Sequence, residues 1–281
     1  MRRLLPGPLL ALSALLSVGC NDASNPAAVT TGVSLAESII QSSPSVRTGG
    51  VYLMTNAASG NEILVFNRAA DGSLTPGGAV PTGGNGTDAG LGNQGALALT
   101  DNGRILLVVN PGSDDVSSFR VTPGGLELAD RASSGGDLPI SLTVRKGLVY
   151  VLNGGTPNSI SALWLGNDGS LRSIPGSSRP LSGANVAPAQ IGFSPDGNVL
   201  ALAEKATNQI TTYTVDSGGL ASGPTSFASA AATPFGFAFD RNGNLIVSEA
   251  VGGAPDASSV SSYAVGRDGS VSILDGAVPT T

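Results

Sequence analysis

The run Gln190-Ile191-Gly192-Phe193-Ser194-Pro195-Asp196-Gly197-Asn198-Val199-Leu200-Ala201-Leu202-Ala203 reads as two short strands joined at an Asp-Gly turn. Ile210-Thr211-Thr212-Tyr213 supplies a third strand, and Gly218-Gly219-Leu220 a further turn. This pattern recurs along the chain. Its closing turn returns as Asp71-Gly72-Ser73-Leu74, Gly124-Gly125-Leu126, Asp168-Gly169-Ser170-Leu171 and Asp268-Gly269-Ser270-Val271, with second glycines spaced 53, 44, 50 and 50 residues apart. Ahead of each turn lies a β run such as Val116-Ser117-Ser118-Phe119 or Val260-Ser261-Ser262-Tyr263, and before that another, such as Leu148-Val149-Tyr150-Val151-Leu152. Asn102-Gly103, Asp196-Gly197 and Asn242-Gly243 are dipeptides suited to two-residue hairpins, which need positive φ.

Units of four short strands and this length match β-propeller blades, small sheets that bury their faces only against one another. The sequence therefore predicts an all-β fold, a propeller of four-stranded antiparallel blades. Five units are visible and the first lacks its innermost strand. Composition agrees: 40 Gly and 18 Pro in 281 residues disfavour long helices, while 41% hydrophobic residues supply a core. The absence of histidine removes every catalytic triad and metal site that depends on imidazole.

Val149-Tyr150-Val151-Leu152-Asn153 followed by Ser159-Ile160-Ser161, and Phe193-Ser194-Pro195-Asp196-Gly197-Asn198 followed by Leu200, resemble the lactonase-type seven-bladed propeller family. That family includes bacterial 6-phosphogluconolactonase and the fungal carboxymuconate cyclase. The resemblance runs from about Gly49 to Thr281 and implies seven blades, hence about two more than this sequence holds. On this reading the chain is a fragment, and its first and fifth units each have an uncovered face. The resemblance also implies a site where a Pro-His-x-His segment enters an inner strand and an acidic residue follows the next strand. The matching positions are Pro188-Ala189-Gln190 and Glu204-Lys205. Glu204 keeps the carboxylate; the histidines are replaced.

Lactone hydrolysis needs a base for water and an electrophile for the carbonyl oxygen. Glu204 is the expected catalytic base, with Lys205 or Arg179 facing the oxyanion and Gln190 orienting the substrate. Glu204 and Lys205 read equally as a solvated strand end, and strand alternation points adjacent side chains to opposite faces. Glu249 holds the place of Glu204 in the next unit, with Asn56, Asn110 and Asn153 in the earlier ones. These strand-end residues form a ring at one channel mouth, either to bind a ligand or to cap turn backbone groups.

The N-terminus reads differently. Arg2-Arg3, an apolar run from Leu4 to Val18 broken by Pro6-Gly7-Pro8, and Ser17-Val18-Gly19-Cys20 resemble a bacterial lipoprotein leader over residues 1–19. Cys20, the sole cysteine, is then the lipidated N-terminus, 20–48 a flexible tether and 49–281 the propeller. The expected location is the cell envelope, in the periplasm or outer membrane, with membrane contact through the lipid anchor only. The formal net charge is −6, and loss of Arg2 and Arg3 makes it two units more negative, so nucleic acid is not an expected partner.

Gly90-Leu91-Gly92-Asn93-Gln94-Gly95 fits a dinucleotide-loop pattern but leads into a strand instead of opening a helix, so it reads as an ordinary loop. The Asp-Gly turns lack the closely spaced oxygen ligands of a calcium loop. No cofactor and no metal are implied. Two functions remain: an exported hydrolase of a sugar or organic-acid lactone, and a non-catalytic propeller that binds a small-molecule ligand or an envelope protein.

Overall fold

The computed structural model describes residues 49–280; the expected leader, Cys20 and tether lie outside the described residues. The described chain forms five antiparallel sheets in sequence order. The first has three strands, β1 (Gly49–Met54), β2 (Glu62–Arg68) and β3 (Leu74–Pro81). The second is β4 (Leu97–Leu99), β5 (Ile105–Asn110), β6 (Asp115–Thr122) and β7 (Gly125–Ser133). In the third, β8 (Pro139–Arg145), β9 (Leu148–Asn153) and β10 (Ser159–Leu165) are followed by an outer strand in two pieces, β11 (Leu171–Ser173) and β12 (Arg179–Pro180), both paired with β10. The fourth comprises β13 (Pro188–Phe193), β14 (Val199–Glu204), β15 (Gln209–Val215) and β16 (Ala221–Ala228). The fifth comprises β17 (Pro234–Phe239), β18 (Leu245–Glu249), β19 (Ser259–Val265) and β20 (Val271–Pro279).

The core sits between the sheets. Strand β5 is wholly buried, and its period of two sends Leu106 and Val108 to one neighbour and Leu107 and Val109 to the other. Strand β9 does the same, with Tyr150 and Leu152 facing the fourth sheet and Val149 and Val151 the second. Each fully buried Val, Leu or Tyr of this kind contributes about 1.5–3 kcal/mol through the water it sheds. The blades are thus adhesive on both faces, and the first strands β4, β8, β13 and β17 pack against one another in series along the axis.

Two sets of polar contacts fix the spacing of the blades. After Pro139, Pro188 and Pro234 the first strands slip register, which turns one backbone N–H out of its ladder. The preceding blade satisfies it: Leu142 N donates to Gly95 O at 2.9 Å, Ile191 N to Ser141 Oγ at 3.3 Å, and Phe237 N to Gln190 Oε1 at 2.9 Å. At the rim, the second-glycine carbonyls of the last three repeated turns each accept a hydroxyl from the blade before. Ser118 donates to Gly169 O at 2.5 Å, Tyr150 to Gly219 O at 2.7 Å and Thr212 to Gly269 O at 2.7 Å. These glycine turns are therefore blade-to-blade joints as well as chain reversals.

The turns between first and second strands differ from the expected two-residue hairpins. Gly103, Gly197 and Gly243 have positive φ, but Asn102, Asp196 and Asn242 do not. Gly197 N returns to Ser194 O at 2.9 Å, and Asp196 Oδ1 accepts from Asn198 N at 3.1 Å, a longer turn held by its own side chain with glycine in the left-handed region.

Candidate functional site

Strand β14 ends on Glu204, whose side chain is fully buried. Its carboxylate accepts from Ser182 N at 3.2 Å, from the Ser182 hydroxyl, and from Thr207 Oγ1 at 2.9 Å. Tyr213 lies beside it. Burial, reinforced by the Glu204 charge and partly offset by Arg179, raises the Tyr213 phenol well above its ordinary value. The Tyr213 hydroxyl donates to Pro180 O at 2.6 Å.

The cross-strand register identifies the equivalent residues in the other blades as Asn110, Asn153 and Glu249, which pair with Asp115, Ser159 and Ser259. In the first blade Met54 pairs with Ile63, so the matching place is Thr55. Asn56 is one residue further on, at a φ of 55°, and its amide binds Thr87 Oγ1 and Ala89 O. The strand-end residues from the second blade onward are all buried. Asn110 donates to Asp115 Oδ1 at 2.6 Å and Ser117 Oγ at 2.8 Å, and Glu249 accepts from Ser259 Oγ at 2.8 Å and Ser229 Oγ at 3.3 Å.

Lys205 stands one residue beyond the end of β14, so the pair divides there: Glu204 into the blade, Lys205 toward the axis. Its ammonium donates to Gly92 O and lies 5.2 Å from the Phe235 ring centroid. Burial holds its pKa below the ordinary lysine value. Gly92 belongs to the loop 90–95, and this loop crosses the axial end of three blades. Gln94 N donates to Ala189 O at 2.9 Å, Gly95 O accepts from Leu142, Asn93 reaches Ile140 O, and the Gln94 side chain packs at Gly236. The six-residue glycine pattern thus lies across the inner ends of these blades, engaged by their backbone and side chains.

Gln190 and Arg179 serve other surfaces. Gln190 Oε1 accepts from Phe237 N and its Nε2 donates to Phe237 O, both at 2.9 Å, so the amide copies a strand pairing between β13 and β17. Arg179 Nε donates to Ala221 O at 2.7 Å and its Nη1 to Gly176 O and Ser178 O, clamping β12 to the fourth blade. An axial cavity of about 400 Å³ lies between the first strands, walled by Leu99, Leu142, Ile191, Phe193, Phe237 and Phe239, and no ionisable side chain lines it. Among the described residues no cluster of three or more Cys, Asp or Glu side chains is placed to hold a metal.

The structure therefore brings Lys205 and Phe235 together at the mouth with Glu204 buried behind them, and leaves Gln190, Arg179 and Glu249 in blade contacts. Ser182, Thr207 and Phe235 escaped the sequence reading. Thr207, three residues after Glu204 in a turn, carries a local capping signal. Ser182, in the loop after β12, and Phe235, on β17, arrive from distant parts of the chain and carry none.

Sheets stacked face to face around an axis, joined inner strand to inner strand, define a β-propeller. Residues 158–272 match the family model described as Lactonase, 7-bladed beta-propeller. A periplasmic gluconolactonase from Pseudomonas aeruginosa superposes with a TM-score of 0.63 at 18% identity, over 84% of this chain and 70% of its own. A candidate 6-phosphogluconolactonase from Bacteroides fragilis gives 0.63 at 19%, over 78% and 65%, and one from Bacteroides uniformis 0.62 at 17%, over 82% and 68%. At these identities the likeness is one of fold, and the chain spans about two thirds of each structure's length. No curated protein matches the sequence. The family model thus matches part of the chain, and these neighbours show that the chain shares the fold of lactonase-type propellers.

Proposed function

We propose that the protein is an exported lactone hydrolase, acting on a sugar or organic-acid lactone at the mouth beside Lys205. The reading is carried by one observation: the lactonase match spans 158–272, the stretch that contains Gln190, Glu204, Lys205 and Glu249. Lys205 meets the developing oxyanion, since burial makes its ammonium a readier proton donor than an exposed lysine. Glu204 takes the proton of the attacking water once the Ser182–Thr207 cap opens. Export and lipidation at Cys20 rest on the leader sequence.

A panel of aldonolactones assayed above the uncatalysed rate tests this, with Lys205→Met and Glu204→Gln beside the wild type. The expected loss for Lys205→Met is about 100-fold or more in kcat, as for an oxyanion donor. Equal rates in all three proteins remove the assigned roles, and no hydrolysis of any lactone removes the activity. Mass spectrometry of the mature N-terminus tests Cys20, and an unmodified cysteine inside an intact leader defeats the anchor.

The burial of Glu204 and its three donors favour a second reading, a propeller that binds without catalysis. Calorimetric binding of a lactone that is not turned over is its expected signature.

A further inference from the structure

On the turn side of the blades, at the opposite end of β14 from Glu204, a cleft of about 260 Å³ opens between the third and fourth blades. Its wall is one row across the third blade. Arg145 on β8 pairs with Leu148 on β9, and Leu148 pairs with Trp164 on β10, so the three side chains share the face turned to the fourth blade. Trp164 remains 42% exposed, so part of its indole is open to a ligand in the cleft. The floor is glycine. A Cβ on Gly219 would meet Trp164 and Leu148 at 3.2 and 3.0 Å, and one on Gly197 would meet Arg145 Cδ and Nε at 2.7 Å.

The charges in the cleft are unequal in their commitments. Asp196 is held by Ser194, Asn198 and Arg267, and Asp216 by the backbone N–H groups of Gly218 and Leu220. Among the described residues, neither Arg145 nor Lys146 has an ion-pair partner, and Arg145 Nε is buried with no hydrogen-bond acceptor. Gly197 covers Nε, so an incoming carboxylate meets the Nη groups of the same guanidinium, which are not buried and have no ion-pair partner. Asp196 and Asp216 balance Arg145 and Lys146 in formal charge, but both carboxylates are engaged by other donors, so the cleft offers two cations without ion-pair partners and one aromatic face. Two strand spacings separate Arg145 from Trp164, roughly 10 Å, which suits one sugar ring and lies below the size of drug-like pockets.

We propose that this cleft binds a pyranose carrying a carboxylate, a uronic acid, with the ring against Trp164 and the carboxylate on Arg145 and Lys146. The site is separate from the axial mouth and stands whether or not the chain hydrolyses lactones.

Trp164 is the sole tryptophan, so its emission reports this cleft alone. Titration of the full chain with D-glucuronate is expected to shift that emission saturably, with glucose and acetate each binding about tenfold more weakly or worse, as the loss of one charge-assisted hydrogen bond or of the ring contact requires. Arg145→Gln is expected to weaken glucuronate by the same factor. Lys146→Gln, at a more exposed position, gives a smaller loss and serves if the arginine variant fails to fold. Trp164→Leu, followed by calorimetry, is expected to abolish the preference for glucuronate over acetate. Three results overturn the proposal: no saturable shift or heat with glucuronate, equal affinity for glucose, or equal affinity for acetate.

Discussion

The second strands of the second and third blades end on amides, and those of the fourth and fifth on carboxylates. Asn110 and Asn153 occupy the same register position as Glu204 and Glu249, and all four are buried. Their neighbours differ. Asn110 has an acceptor to serve, Asp115, whereas Glu204 accepts from a backbone N–H, which needs an acceptor, and from hydroxyls, and Glu249 accepts from hydroxyls that donate to it. Asn153 is the imperfect case, with Nδ2 on Ser161 Oγ at 3.2 Å and its Oδ1 buried without a donor. One backbone position thus takes whichever side chain completes its local donor count, and a carboxylate here is explained by capping before any chemistry is invoked.

Swapping the two kinds of end breaks the comparison most severely. Asn110→Asp sets a second buried carboxylate against Asp115, where the amide now sits 2.6 Å away, and should cost about 3–5 kcal/mol by urea denaturation. A cost under ~1 kcal/mol would show that these ends tolerate either group. Glu204→Gln turns an NH2 toward donors and is expected to cost about 1–3 kcal/mol. Unchanged stability with lost hydrolysis would assign Glu204 to catalysis instead.

Two tyrosines sharpen the contrast. Burial pushes the Tyr150 phenol up to about 12, and Tyr213 is raised further with Glu204 beside it. A phenol whose folded pKa lies above its unfolded value stabilises the fold fully below pH 10, and that contribution is lost as pH rises from about 10 to 12. Tyr150→Phe should cost about 1 kcal/mol at neutral pH through the lost bond to Gly219 and should flatten part of the alkaline decline. In ultraviolet titration, Glu204→Gln should narrow the gap between the two phenols; an unchanged gap removes the charge effect. The smallest change is expected far from the strand ends. Arg120 and Glu127 form an exposed pair at 3.2 Å, and Arg120→Ala should shift stability by no more than about 0.5 kcal/mol.

The repeat was legible because each blade announces itself locally, with an aromatic late in the strand before a glycine turn, and three of the five add an Asp-Gly or Asn-Gly ahead of the second strand. The split outer strand of the third blade was not. Pro175-Gly176 interrupts β11 and β12, and the two-residue β12 is too short to show periodicity. Site geometry was legible only as far as position. The sequence placed Glu204 and Glu249 at equivalent ends, but a polar residue ending a strand reads the same whether water or Ser182 meets it. Asn56 was assigned one place late because asparagine recurs in the neighbouring blades, while register depends on pairing across β2. Residues 90–95 read as a loop from sequence, but their contacts with Ala189, Leu142 and Lys205 come from far along the chain and leave no local signal.

The rim joints have a direction. In each, the hydroxyl belongs to one blade and the accepting carbonyl to its successor: Ser118 to Gly169, Tyr150 to Gly219, Thr212 to Gly269. A unit that carries both a donor on its body and an acceptor on its turn is a complete link. Copying one whole unit in the coding sequence adds a link and leaves both neighbours correctly matched, whereas a copy that begins or ends within a unit strands a hydroxyl or a carbonyl. Duplications and deletions that preserve folding should therefore come in steps of one glycine-to-glycine interval, with breakpoints falling in the loops between blades.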